Sequence, residues 1–375
     1  MKRIWAVARK EVRQIRRDPL SLFLLLGLPA FMLVLYGFAL NFDVRHVALG
    51  LQDRDRSARS RELVAAFVNS TYFDVVVTLP PGSDLERIVE RRQAKAVLVV
   101  PEGYGADVSA SRTGAVQLLL DGADAGTATT ILNHAVAIVA EANVAALRHT
   151  LVRAGRHGEA PGIAYDPRVW YNPELSSTRF LVPGLIGALL MLTAVLSTAL
   201  SVVREKERGT MEQLRVAPIR THELILGKTL PYLVVSFAAT LIILLAARVL
   251  FGVEVKGPYL DLFGATLLYL IGALAFGLFI STVSDSQNMA FQLGLLTSLL
   301  PAILLSGFIF QIRSMPVWLR AITHVIPARY YLVILRGIIL KGSGLGPYWD
   351  QMGYLALFTL VALTLASVRL AREQV

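Results

Sequence analysis

Leu226–Gly227–Lys228–Thr229 carries the glycine, lysine and hydroxyl that close a phosphate-binding loop. Such a loop cradles phosphates with backbone N–H groups and reaches them with its lysine. The first glycine of the pattern is missing, since His222 holds that position, and an apolar run follows at once. No nucleotide pocket can form there, so ATP binding by this chain is excluded. His46, His134, His149, His157, His222 and His324 are scattered, with no metal-ligand spacing. No nucleophile–base pair and no paired carboxylates stand out. The chain has no cysteine, which removes disulfides, thiolate metal sites and a cysteine nucleophile. The reading is therefore of a chain that is not an enzyme and binds no cofactor or metal itself.

The most informative segment is Arg204–Lys228, a short charged stretch between two apolar runs. Thr210 and Gln213 have capping-box spacing, so a helix should start near Thr210. Pro218 should stop it. Met211 and Leu214 would share one face of this two-turn helix, with Glu212 and Arg215 around them. Gly209 would supply the backbone freedom for the turn before it. A helix of that kind suits a groove on a soluble partner.

The elements around that segment read as membrane spans. The 375 residues are 55% hydrophobic and only 17% charged, with mean hydropathy +0.57. No ordinary soluble domain has that balance. Uncharged runs lie at 20–40, 180–203, 229–247, 262–283, 289–310 and 351–368. Each has about the 17–25 residues that a helix needs to cross hydrocarbon. The first is too long for a cleaved signal peptide, and no small-residue cleavage site follows it. The expected fold is an α-helical polytopic membrane protein of six transmembrane helices with an inserted α/β extracytoplasmic domain.

The net charge of +10 is distributed by side. Lys2, Arg3, Arg9, Lys10, Arg13, Arg16 and Arg17 precede the first run, against Glu11 and Asp18. The segment after the second run adds Arg204, Lys206, Arg208, Arg215, Arg220 and Lys228, and Arg369 and Arg372 follow the last. This asymmetry places both termini in the cytosol of a multi-pass plasma (inner) membrane protein. No basic patch interleaved with aromatics points to nucleic acid. In residues 1–19, Ile4, Trp5, Ala8, Val12 and Ile15 share one helical face, as in an interfacial helix lying on membrane lipid. Asp18–Pro19 breaks it.

Residues 41–179 read as the extracytoplasmic domain. Strands are expected at 47–52, 73–79, 96–100 and 116–120, with helices at 57–69 and 84–95 between them, which implies an α/β layer. A long alanine-rich helix should run from Thr127 to about Val152, and Trp170–Tyr171 fits an interfacial belt. In residues 311–350, the apolar pieces 317–326 and 330–340 are too short to cross and are interrupted by Arg329, Arg336 and Lys341. They read as outer re-entrant or interfacial helices.

Glu205, Arg208–Gly209–Thr210, Glu212, Leu214, Pro218, Glu223 and Gly227–Lys228, followed by an apolar span, resemble the cytosolic coupling segment of type-2 ABC transporter permeases. The stretches 306–316 and 326–330 resemble a multidrug-exporter branch of that family with a large domain after the first span. The resemblance covers nearly the whole chain. It implies a permease subunit whose loop 204–228 docks a separate ABC ATPase, which alone holds ATP and Mg, and which pairs with a second permease subunit, identical or related. It implies export of apolar or amphipathic small molecules, drug- or lipid-like, out of the cytosol along a path between spans. Thr193, Ser197, Thr198, Gln292, Thr297 and Ser298, with Met191, Phe291 and Phe308, are candidate path residues. Each also fits ordinary packing, because small polar residues glue membrane helices together.

The alternative is a secondary transporter or channel. A proton- or sodium-coupled carrier keeps ionisable residues inside its spans. The six apolar runs hold no Asp, Glu, Lys, Arg or His, which favours an outside energy source. A membrane-anchored receptor would need only one span.

Overall fold

The computed structural model describes residues 2–39, 46–110, 112–153, 170–172, 176–210 and 220–374. The chain divides into two compact units, Phe42–Pro167 and a larger one made of Met1–Asn41 with Arg168–Val375.

In the smaller unit, β1 (Val47–Asp53), β2 (Phe73–Thr78), β3 (Ala96–Val100) and β4 (Gln117–Leu120) form one sheet in the order β2-β1-β3-β4. β1 pairs in parallel with β2 and β3, and β4 runs antiparallel to β3. The unbroken apolar run of β3 is buried at every position, as a strand covered on both faces requires. Edge strand β2 alternates instead. Helices α3 (Ala58–Asn69), α4 (Leu85–Glu90) and α5 (Tyr104–Ser109) connect the strands, and α6 (Ala125–Arg153) follows them. Ser57 caps α3 by accepting from the Ser60 N–H at 3.1 Å, and Asp84 caps α4 from the Arg87 N–H at 3.1 Å. Leu63 and Phe67 of α3 and Ile131 and Ile138 of α6 cover one face of the sheet, over Val47, Leu49 and Leu98. Val97 and Val99 on the other face pack with Leu79 and Ile88. Helix α4 stops at Glu90, short of the expected 95. The unexpected α5 has no apolar period, and Asp55 holds its start through the Gly103 and Gly105 N–H groups at 3.1 and 3.0 Å.

The larger unit contains α1 (Lys2–Arg17), α2 (Pro19–Ala39), α7 (Ser177–Glu207), α8 (Thr221–Phe251), α9 (Tyr259–Val283), α10 (Gln287–Leu304), α11 (Val317–Ile322), α12 (Pro327–Lys341) and α13 (Trp349–Gln374). Five helices among the described residues are long and apolar enough to cross a membrane: α7, α8, α9, α10 and Gly346–Arg372. They overlap the second to sixth expected runs, and α2 covers the first. Val317–Val325 and Pro327–Lys341 meet at 81°, and the count becomes six if that bent pair is one crossing.

Helix α7 is the axis of this unit. It packs against α2, α8, α9, α10 and α12, and its stretch from Leu181 to Val195 is buried throughout. Gly184 lets the Phe308 ring lie against its backbone. Tyr269 of α9 stacks on Tyr331 of α12 with ring centroids 4.0 Å apart and donates to the Gly187 carbonyl at 2.9 Å. The Tyr331 and Thr266 hydroxyls share a hydrogen bond of 2.9 Å, so no hydroxyl in this core patch lacks a partner. Arg336 pins the loop after α10 by donating to the Gly307 and Phe308 carbonyls at 3.0 and 3.3 Å and to the Phe180 carbonyl at 3.2 Å. Its guanidinium lies 3.7 Å from the Phe180 ring centre. Helix α10 carries a π turn at Leu295–Leu299, a local widening often found where helices adjust to function. Val234, Leu245 and Val249 of α8 and Leu357, Leu360 and Leu365 of α13 face outward, as lipid-covered sides would.

Candidate functional site

The segment expected as a loop is helical at both ends. Helix α7 continues through Glu205 to Glu207, and α8 starts at Thr221, so Glu223, Gly227 and Lys228 lie on α8. The α7 end closes with the Arg208 N–H donating to the Arg204 carbonyl at 3.2 Å and the Gly209 N–H to the Lys206 carbonyl at 3.1 Å. Gly209 takes φ +69°, the left-handed exit that glycine adopts at least cost. The Thr210 hydroxyl donates to the Glu205 carbonyl at 3.3 Å. At the start of α8, Glu223 accepts from the Arg220 N–H at 3.0 Å and caps the helix. Met211, Glu212, Leu214 and Pro218, and with them the expected two-turn helix, lie outside the described residues.

Where α1 crosses α7 and α8, four charges are brought together. The Lys228 ammonium is 3.0 Å from Glu11 Oε1 and 2.7 Å from Glu205 Oε2. Lys10 pairs with Glu205 and lies 3.6 Å from Glu11. The Ser201 and Tyr232 hydroxyls donate to Glu11 Oε2 at 3.2 and 3.3 Å. Glu11 is 0%, Lys228 2% and Glu205 3% exposed, so three charges are shut away from water and must answer one another. Glu205 is held by charge rather than by direction, for neither of its oxygens receives a well-aligned hydrogen bond. Burial alone would raise the Glu11 carboxyl. Lys228, Lys10 and Ser201 outweigh it and hold the group below its ordinary range.

The glycine beside that lysine explains the close crossing. A Cβ at Gly227 would stand 2.7 Å from the Val7 Cβ and 3.1 Å from the Ile4 carbonyl oxygen. Gly227 lets α1 reach α8, and Lys228 then reaches Glu11. The phosphate-loop mimic is thus a helix-crossing device.

Further contacts tie the same corner. Arg3 lies 3.7 Å from Glu223, and Arg204 pairs with Asp18 at 3.0 Å. Lys206 donates to the Ser281 carbonyl at 2.7 Å. Glu207 accepts from the Gln287 N–H at 2.7 Å and from its side-chain amide. Helices α1, α8, α9 and α10 therefore all hold the last turn of α7. Arg208 is exposed beside them.

Sequence reasoning missed Glu11, Ser201, Tyr232 and Gln287. A signal for Glu11 existed. The buried stripe of α1 is Val7, Ala8, Glu11 and Ile15, so an acid occupies an apolar face at helical spacing. Trp5 and Val12, expected on that face, point outward at 59% and 43% exposure.

The candidate path residues do not converge on one place. Thr193, Ser197 and Phe291 line a cavity of about 170 Å³ between α1, α2, α7, α8 and α10, whose other walls include Leu25, Leu28, Leu192, Leu196 and Leu200, with Gln14, Asp18 and Arg204 at one end. Both hydroxyls bond back to their own helix, Thr193 to the Leu189 carbonyl at 2.9 Å and Ser197 to the Ala194 carbonyl at 2.8 Å. Met191, Thr297 and Ser298 line a separate hollow of about 80 Å³ with Phe276. Thr198 donates across to the Leu274 carbonyl of α9 at 2.9 Å, opposite Gly277, and so joins two helices. Phe308 is core, and Gln292 is exposed. Among the described residues no cluster of histidine and carboxylate groups could hold a metal ion.

The chain has known relatives. The sequence profile described as ABC-2 family transporter protein matches residues 19–368. The probable multidrug ABC transporter permease YbhS of Escherichia coli K12 is 32% identical over 348 residues, covering 91% of this chain and 89% of that one. The probable multidrug ABC transporter permease YbhR of the same strain is 28% identical, covering 95% of both. ABC transporter G family member 20 of Dictyostelium discoideum is 23% identical over 91% of this chain but only 46% of its own length. A match of that extent, on a bundle of membrane-crossing helices, places the chain in a family: it belongs to the ABC-2 transporters, as a membrane permease.

Proposed function

We propose that the chain is the membrane subunit of an ATP-driven exporter of apolar or amphipathic small molecules. It sits in the inner membrane with both termini in the cytosol. A separate ABC ATPase, carrying ATP and Mg, docks on the 204–228 segment, and a second permease subunit, identical or related, completes the path. The observation that carries this reading is the four-charge junction of Lys10, Glu11, Glu205 and Lys228 at the base of that segment. A partner that displaces the segment would drag α1, α7 and α8 together. That is what a device needs when it converts docking on one side into movement of spans. The multidrug permease names of the relatives and the leucine-lined cavity support an apolar cargo. One subunit's cavity is small beside the about 300–1,000 Å³ of drug-sized sites, which fits a path completed by a second subunit.

The test is reconstitution of the chain in vesicles with the ATPase that copurifies from its source cells. Dye accumulation should require MgATP and both proteins, and the chain alone should hydrolyse no ATP. ATP hydrolysis by the isolated chain would refute the assignment. One observation favours the alternative of a secondary carrier. The buried Glu11, Glu205 and Lys228 are ionisable groups on or against spans, the feature that the apolar runs lacked. Dye transport by the chain alone under an imposed proton gradient would select that reading.

A further inference from the structure

The leucine-lined cavity adjoins a basic corner of the larger unit. Leu25, Leu28 and Met32 of α2 face Leu192, Leu196 and Leu200 of α7 across it. Gln14, Asp18 and Arg204 border it, and the same three residues border a second, polar hollow of about 650 Å³. The remaining walls of that hollow include Lys10, Arg13, Arg17 and Arg208. An apolar slot and a cationic basin thus share one rim.

The charges of the basin are not all in use. Arg204 is engaged by Asp18, and Lys10 by Glu205 and Glu11. Arg13, Arg17 and Arg208 are exposed and make no ion pair with a described carboxylate. Guanidinium forks of this kind match phosphate oxygens. The slot is too small for a drug-sized molecule, and Ile15 and Phe291 join the α2 and α7 side chains to give it a mainly apolar wall, the character that suits a hydrocarbon chain. An anion with a hydrocarbon tail satisfies both halves at once. A free anion would leave the slot empty, and a neutral apolar molecule would leave the arginines unanswered.

We propose that this corner binds a membrane phospholipid of net negative charge, with one acyl chain between α2 and α7 and its phosphate on Arg13, Arg17 and Arg208. The site requires only that α1 lie at a membrane surface, and it would hold whether or not the chain exports anything. The bound lipid would seal the opening between α1, α2 and α7 and neutralise the basic face beside the 204–228 segment.

Full-length protein in detergent, offered equal phosphatidylglycerol and phosphatidylcholine, is assayed by native mass spectrometry for retained lipid. Phosphatidylglycerol should be retained at least ~10-fold better, as charge-assisted contacts to phosphate predict. The Arg13→Gln/Arg17→Gln/Arg208→Gln variant should lose that preference. The Arg3→Gln/Arg9→Gln variant removes two charges of α1 outside the basin and should keep it. Leu28→Phe, which fills the slot, should weaken retention of a long-chain lipid. Equal loss in the two arginine variants would mean general attraction to a basic helix, and the proposal would fail. It would also fail if inorganic phosphate at matched concentration displaced the lipid, because the site would then be one for a free anion. Retention unchanged by Leu28→Phe in folded protein would remove the acyl-chain half. Binding in detergent is blind to topology and to ATP, so these outcomes separate the lipid site from the transport reading.

Discussion

Lys228 and Glu11 stand 217 positions apart in the chain and meet at 3.0 Å where water does not reach. With Glu205 2.7 Å away on the other side, Lys228 is the only fully buried cation between two buried carboxylates among the described residues. Replacing Lys228 with Met should therefore leave two buried carboxylates with only Lys10 to answer them and cost about 3–5 kcal/mol. Thermal unfolding in detergent should show a large drop in Tm. Adding Glu11→Gln should recover part of it. If the two substitutions prove simply additive, the pair does not act as a unit.

Gly227→Val should displace α1, because even a Cβ there would press on Val7 and the Ile4 carbonyl. Limited proteolysis should cut α1 faster in the variant. Val7→Ala in the same chain should partly restore protection. Unchanged protection in Gly227→Val would show that α1 does not rest on α8.

The junction is also acid-sensitive in a stated direction. The Glu11 carboxyl is held below its ordinary value of 4.5, so its contribution is complete above that pH. It is lost as pH falls below about 4.5 and through the lower folded value. Unfolding followed from pH 7 to pH 3 should show α1 loosening at the acid end. Glu11→Gln should be weaker at neutral pH and less pH-dependent. Identical acid profiles in both proteins would place the sensitivity elsewhere.

The docking proposal rests on residues 211–216. Deleting Met211–Val216 should leave membrane insertion and permease pairing intact and abolish ATPase recovery in a pull-down. Glu212→Lys should lower transport, with a loss between mild and complete, since a charge reversal costs about 1 kcal/mol or less at a rim and several when desolvated. Normal ATPase recovery by the deletion would move the docking surface to α1.

Orientation has its own test. A cysteine at Ser109 should react with an impermeant reagent in intact cells, and one at Thr210 should not. Labelling at Thr210 from outside would reverse the proposed topology.

Helices α2, α7, α8, α9, α10 and α13 were legible because each presents an uncharged run of spanning length. Their ends were not. Glu205–Glu207 and Thr221–Lys228 look like a charged connector, yet both are helix, and their charges at Glu205 and Lys228 pair with α1, about two hundred residues earlier. Local composition carries no trace of such a partner. The path residues scattered for a related reason. Helical period shows that Thr193 and Ser197 share a face, but not that Thr198 would turn to Leu274 or that Met191 would open into a different hollow. The strands were readable from their β-branched runs. Helix α5 was not, since the aspartate at 55 organises it rather than any pattern of its own.

Two ammonium groups and two carboxylates make the α1 junction electrically neutral. A membrane potential acts on net displaced charge, at about 2.3 kcal/mol per elementary charge per 100 mV. If the junction travels as a body when α1 moves, the potential does no work on it, and its motion is the same in an energised cell as in a collapsed one. Lys228→Met would leave one uncompensated negative charge and make that same motion voltage-dependent.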